Sequence, residues 1–154
     1  PLNEDIRHIK ANKLLAGSDF DLVFTNPPYF SPRCGILSPK KEMEEKNNAR
    51  FEINGTLSDF VNAAAYALRP GGLFAMVYRV SRMAEAFAII RTHKIEPVSL
   101  RFIHSKVDKP ALHFLLAGHK GSYAGGLKVY PPLILRCRDG KMSSEYLKIY
   151  GEIE

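Results

Sequence analysis

The 154 residues are 45% hydrophobic and 25% charged, the balance of one globular domain with a real core and too short for two. Ten prolines and eleven glycines are scattered, which excludes collagen-like and low-complexity readings, and no run nears the roughly 18 apolar residues of a membrane helix. The net charge of +6 is uneven: residues 1–78 balance nine basic against nine acidic side chains, whereas residues 79–141 hold twelve against four.

A basic half beside a neutral half points to a surface that meets polyanions, phosphates above all. No basic-then-apolar leader opens the chain, so a secretory signal is not expected. Cys34 and Cys137 make neither a disulfide framework nor a zinc site, which fits a reducing, cytoplasmic setting.

In chain order, Phe20–Thr25 reads as a buried strand stopped by Asn26-Pro27-Pro28. Residues 31–55 are polar and poorly periodic, the texture of a loop. Thr56-Leu57-Ser58-Asp59 has the form of a capping box and opens a helix over 57–68, which Pro70-Gly71-Gly72 is expected to end. Leu73–Tyr78 is a second strand. Ser81 is placed to cap a further helix whose Met83, Phe87 and Ile90 share its core face.

Val98–His104 and Ala111–Gly118 are two more strands, joined by a charged turn at residues 106–110. Val129–Cys137 reads as strand broken at Pro131-Pro132, and Ser144–Tyr150 as a short terminal helix. Strand and helix alternate, which predicts an α/β sheet, mostly parallel, with an antiparallel hairpin at one edge. No internal repeat or domain boundary is visible, so residues 1–154 read as a single domain.

The chemistry concentrates in Asn26-Pro27-Pro28-Tyr29. In open α/β sheets ligands bind beyond the carboxyl ends of strands, where this tetrad is predicted to lie. Successive prolines fix the backbone and leave carbonyls free to accept. The Asn26 side-chain oxygen and the Pro27 carbonyl can grip a planar amine from two directions, while Tyr29 offers a face for stacking. Such a grip acts by positioning and charge stabilisation, without a strong base.

Asp21-Leu22-Val23-Phe24-Thr25-Asn26-Pro27-Pro28-Tyr29 resembles motif IV of the class I S-adenosylmethionine-dependent amino-methyltransferases. Further segments are similar to the bacterial tRNA1(Val) adenine-N6 methyltransferases: Ala49–Glu52, Leu68–Gly72, Leu100–His104, and the tail 127–150 with Pro131-Pro132-Leu133 and Asp139-Gly140. The likeness runs along nearly the whole chain.

The resemblance implies a Rossmann-like sheet, S-adenosyl-L-methionine as methyl donor with no metal, and tRNA as partner. Asn26, Pro27, Pro28 and Tyr29 then hold a flipped-out adenine amine. Asp5 and Ile6 match the motif whose acid meets the adenine of the cofactor, and Asn26 also borders the cofactor. Arg50 and Glu52 lie in a family-like segment without an assigned chemistry, and residues 120–154 read as a family-specific extension. Arg79, Arg82, Arg101, Lys106 and Lys109 follow the motif near strand ends and turns and are candidates for RNA phosphates.

The resemblance also has a gap. The glycine-rich motif I and the acid that follows it are absent from the 154 residues, and Gly71-Gly72 follows a helix and precedes a strand, the reverse of a phosphate loop. The chain is therefore expected to be the C-terminal portion of such an enzyme. Alone it is expected to be inactive and to self-associate through the edge of strand 20–25.

Two alternatives share these residues: a glutamine-N5 methyltransferase acting on release factors, and a non-catalytic RNA-binding remnant of the fold. His104, His113 and His119 match no standard ligand spacing for a metal, and Cys34 has no base beside it in sequence.

Overall fold

A computed structural model describes residues 5–11, 20–29, 55–121 and 125–151. Cys34, Arg50, Glu52 and the expected loop over 31–55, apart from Gly55, lie outside the described residues.

Strand β1 is Phe20–Thr25 and helix α1 is Leu57–Ala67. The capping box forms as the sequence predicts. The Asp59 carboxylate accepts the Thr56 N–H at 2.8 Å, and the Thr56 hydroxyl oxygen accepts the Asp59 N–H at 3.3 Å. Leu57, Val61 and Ala64 recur at helical spacing and are buried.

Strand β2, Leu68–Arg79, starts as soon as α1 ends and is longer than the sequence suggests. Pro70-Gly71-Gly72 lies inside its first half. Two details explain this. Gly71 takes φ +77°, which a glycine adopts without strain. A Cβ on Gly72 would stand 2.9 Å from the Arg69 carbonyl oxygen and 3.0 Å from that of Phe20. The missing side chain lets β1 approach where the β1–β2 register shifts, between Phe20 and Leu22.

A single 3-10 turn over Val80–Arg82 leads into α2, Met83–Thr92. Ser81 is thus in the turn and the N-cap is Arg82, one residue later than expected. Ile90 and Ala86 are buried, with Met83 and Phe87 packed against the same core. Strands β3 (Ile95–Lys106) and β4 (Ala111–Lys120) form the hairpin, β5 is Lys128–Arg136, and α3 is Ser144–Tyr150.

The sheet order is β1-β2-β4-β3-β5. β1 runs parallel to β2 and β3 parallel to β5, while β4 is antiparallel to both β2 and β3. Four strands therefore point one way and β4 alone is reversed. Within the hairpin β4 lies inside, against β2, and β5 takes the outer edge beyond β3. Pro131 and Pro132 are tolerated in β5 because its outer side needs no donors and because the β3–β5 register shifts opposite them, between Arg101 and Ile103.

Helices α1 and α2 cover one face of the sheet, burying Phe74, Met76, Tyr78, Leu100, Phe114 and Leu116. The opposite face is open among the described residues, and Phe24 on it is 80% exposed. The outer edge of β1 has no partner strand among the described residues. The carboxyl ends of β1, β2, β3 and β5 share one end of the sheet, and α1 begins there.

Candidate active site

Asn26 follows β1 directly, at that carboxyl end. Pro27 and Pro28 are buried and anchor the turn, Tyr29 is half-buried, and the Asn26 side chain is exposed. The proline pair thus fixes a rigid backbone under a side chain that faces outward. The Tyr29 hydroxyl donates to the Asn26 side-chain oxygen, so the two candidate contacts to an amine-bearing ring touch one another.

Three residues distant in sequence converge on Tyr29. Its ring stands 5.7 Å from Tyr78 and 5.5 Å from His113, both tilted. Its carbonyl accepts a long 3.4 Å hydrogen bond from Arg82. The Arg82 guanidinium also pairs with Glu85 at 2.6 Å and lies 5.4 Å over the Tyr78 ring. Tyr29 is therefore held by its ring and by its backbone. Burial pushes its phenol above the ordinary value, against a smaller opposing pull from the Asn26 hydrogen bond and Arg79.

Tyr78 and His113 were not legible as site residues. His113 is a polar residue inside the apolar run 111–118, and that interruption is the signal for it. It pairs with Arg79 across β2–β4. Burial and the Arg79 charge both push its imidazole below the ordinary value.

His113 thus binds its proton more weakly when folded than when unfolded. Its contribution to stability is present in full above about pH 6.5, the ordinary imidazole value, and is lost as pH falls through the lower folded value. In urea titrations at pH 7.5 and pH 5, His113→Gln is expected to lose less stability on acidification than the wild type. Equal losses would rule this contribution out.

Asp5 and Ile6 lie elsewhere at the same end of the sheet. Asp5 precedes a 3-10 helix, Ile6–Ala11, and Ile6 packs beside Gly55 at the start of α1. The Asp5 carboxylate accepts the Arg7 backbone N–H and Nε at 2.9 Å each, and pairs with Nη2. These bonds hold it well below the usual carboxylate range.

The basic candidates separate into groups. Arg79 and Arg82 flank Tyr29, Lys106 ends β3, and Lys109 lies in the turn that follows it. Arg101 is mid-strand on the open face, where it donates to the Pro131 carbonyl at 2.9 Å and pairs with Glu145 at 2.5 Å. A cavity of about 670 Å³ opens on that face and runs from Asn26 and Phe24 past Val77 and Leu115 to Arg101 and Tyr130. Among the described residues no three His, Cys, Asp or Glu side chains are grouped to hold a metal ion. No helix there is long and apolar enough to cross a membrane.

No family model matches the chain. Among curated proteins it is 30% identical over 100 residues to a Pectobacterium carotovorum protein named tRNA1(Val) (adenine(37)-N6)-methyltransferase, covering 65% of this chain and 38% of that one. A protein of the same name from Dyadobacter fermentans is 26% identical over 136 residues, covering 86% and 53%. The chain thus spans about half, or less, of the length of these relatives.

Among solved structures, a predicted O-methyltransferase from Agrobacterium tumefaciens matches with TM-score 0.67 at 20% identity, over 93% of this chain and 56% of that one. The M1.HpyAVI–SAM complex matches with TM-score 0.50 at 13% identity, over 90% and 66%. The chain shares the fold of these methyltransferases.

Proposed function

We propose that this chain carries the amine-holding end of an S-adenosyl-L-methionine-dependent methyltransferase that acts on an adenine N6 in tRNA. The observation that carries the reading is Asn26-Pro27-Pro28-Tyr29 at the carboxyl end of β1, with Tyr29 held by Tyr78, His113 and Arg82. The names of the sequence relatives and the basic half of the chain support tRNA as partner. The cysteine usage supports a cytoplasmic setting, and the family-like tail supports residues 120–154 as a family-specific extension of the single domain.

Asn26 and the Pro27 carbonyl accept the two N–H bonds of the adenine amine. Pinned from both sides, the nitrogen keeps its lone pair directed away from them, and the two acceptors stabilise the positive charge that develops on it. Tyr29 stacks on the extruded ring. Arg79 and Arg82, beside Tyr29, meet phosphates near the target nucleotide, and Lys106 and Lys109 meet RNA phosphates further along the same end. Arg101 belongs to this RNA-facing set only if the chain uses the open face, where its guanidinium is already paired.

When bound, S-adenosyl-L-methionine supplies an electrophilic methyl group. Asp5, Ile6 and Asn26 are the residues present that would meet it, and they fit only part of it. A ligand amine reaches the Asp5 carboxylate only by displacing Arg7, and among the described residues no glycine-rich turn opens a helix after a strand. We infer accordingly that the 154 residues alone neither bind the cofactor tightly nor turn over, and that they self-associate through the open edge of β1.

The test offers labelled S-adenosyl-L-methionine to the natural gene product with bulk tRNA and, separately, with release factors. Label recovered as N6-methyladenine in tRNA is expected. Label on a protein glutamine would keep the amine grip and overturn the RNA assignment. No transfer to either substrate would favour the non-catalytic RNA-binding remnant.

A further inference from the structure

We infer that the turn after β3 and the end of β5 form a second nucleic-acid contact, a cleft that takes a backbone phosphate of the RNA several nucleotides from the target base. The inference rests on the tRNA reading above and adds a site with its own residues. A cleft of about 330 Å³ is lined by Ser105, Lys106, Lys109, Pro110, Leu112 and Arg136. Lys106 and Arg136 are direct partners in the β3–β5 register, so two like charges sit side by side on adjacent strands. Such a pair costs stability unless an anion joins it.

The surroundings do little to neutralise the cleft. Among the described residues no ion pair holds Lys106, Lys109 or Arg136. Asp108 shares the turn and is exposed, and Asp139 accepts the Lys141 N–H at 3.0 Å. The turn is shaped from within: Lys109 N–H donates to the Lys106 carbonyl at 3.1 Å, and the His104 ring meets the Lys109 carbonyl at 2.7 Å. Arg136 donates to the Gly140 carbonyl at 3.0 Å, which ties its guanidinium to the following turn. Ser105 adds a hydroxyl donor.

Topology sets the distance. Asn26, Lys106 and Arg136 all lie at the carboxyl end of codirectional strands. In the order β1-β2-β4-β3-β5, β3 is three strands and β5 four strands from β1. At about 4.8 Å per strand that is roughly 14–19 Å sideways, and because the register sets Asn26 level with Arg101, five residues before Lys106, the cleft also lies about 16 Å further along the strands, roughly 22–25 Å from Asn26 in all. That span is about six to seven nucleotide steps at a stacked rise of about 3.4 Å. One RNA strand therefore reaches both, with Arg79 and Arg82 near its target end.

The test measures tRNA affinity of the natural gene product across salt concentrations, for the wild type and for Lys106→Gln/Lys109→Gln/Arg136→Gln. The variant is expected to bind about 10- to 100-fold more weakly at 0.1 M salt, with a salt slope flatter by about 1. Restoring charge with Arg136→Lys in place of Arg136→Gln should recover part of both, which a merely unfolded variant cannot do. Wild-type binding with an unchanged variant slope would overturn the cleft and leave the tRNA reading intact.

A short single-stranded RNA of mixed sequence separates the remaining outcomes. If the wild type ignores tRNA but binds this RNA through the three residues, the cleft stands and the tRNA reading falls. If it binds neither, both fall.

Discussion

Replacing Asn26 with alanine is expected to lower kcat for methyl transfer by about 10²- to 10³-fold, the usual cost of losing one preorganised polar partner of a charged transition state. Asn26 is exposed at the end of β1 and stands on two buried prolines, so its removal leaves no cavity. Its side-chain oxygen accepts from the Tyr29 hydroxyl, and that bond is the only described one at stake. The loss should appear equally in kcat and kcat/KM, because the acceptor matters most once the nitrogen becomes positive. Tyr29→Ala should instead weaken substrate binding by about 10- to 100-fold through lost stacking. Tyr29→Phe, which keeps the ring, should be far milder. Steady-state kinetics of the three variants in the natural gene product check this. An Asn26→Ala enzyme with wild-type kcat would remove the amine grip from the account.

Phe114→Ala is expected to cost about 3–5 kcal/mol of folding stability. Phe114 sits in the middle of β4, the reversed strand that joins β2 to β3, and it is fully buried. It pairs with Tyr78 on one side and Phe102 on the other, under α1 and α2. A cavity there opens in the row that also carries Tyr78, on which Tyr29 packs. A domain of this size has about 5–15 kcal/mol in all, so the variant is expected to unfold at a far lower urea concentration. A midpoint within experimental error of the wild type would show that β4 is not central to the core.

The terminal helix Ser144–Tyr150 and the capping box at Thr56 were legible because their determinants are local. A cap lies three residues from its partner, and apolar spacing needs only one turn of helix. The helix does stop just before Pro70, but that Pro70-Gly71-Gly72 already belongs to β2 is set by a distant strand: β1 passes beside Gly72, where a Cβ would crowd the Arg69 and Phe20 carbonyls. Pro131-Pro132 reads as a break for a related reason. Whether proline is tolerated depends on β5 being an edge, which sequence spacing does not reveal.

The candidate site divides the same way. Asn26-Pro27-Pro28-Tyr29 was visible as four adjacent residues after an apolar run. Arg82 was visible as a charge but not as a holder of Tyr29, 53 residues away. His113 and Tyr78 reach Tyr29 only through the order β1-β2-β4, in which a strand late in sequence is inserted in the middle of the sheet. Arg136 joins Lys106 through a parallel register of the same kind.

If the tetrad holds a planar amine, the atom that receives the methyl group is fixed by that grip. Labelled methyl transferred by the natural gene product would be traced, after complete hydrolysis and chromatography of the acceptor, to a single atom. The expected acceptor is an exocyclic nitrogen, adenine N6. Label on a ribose oxygen or a ring carbon would contradict it.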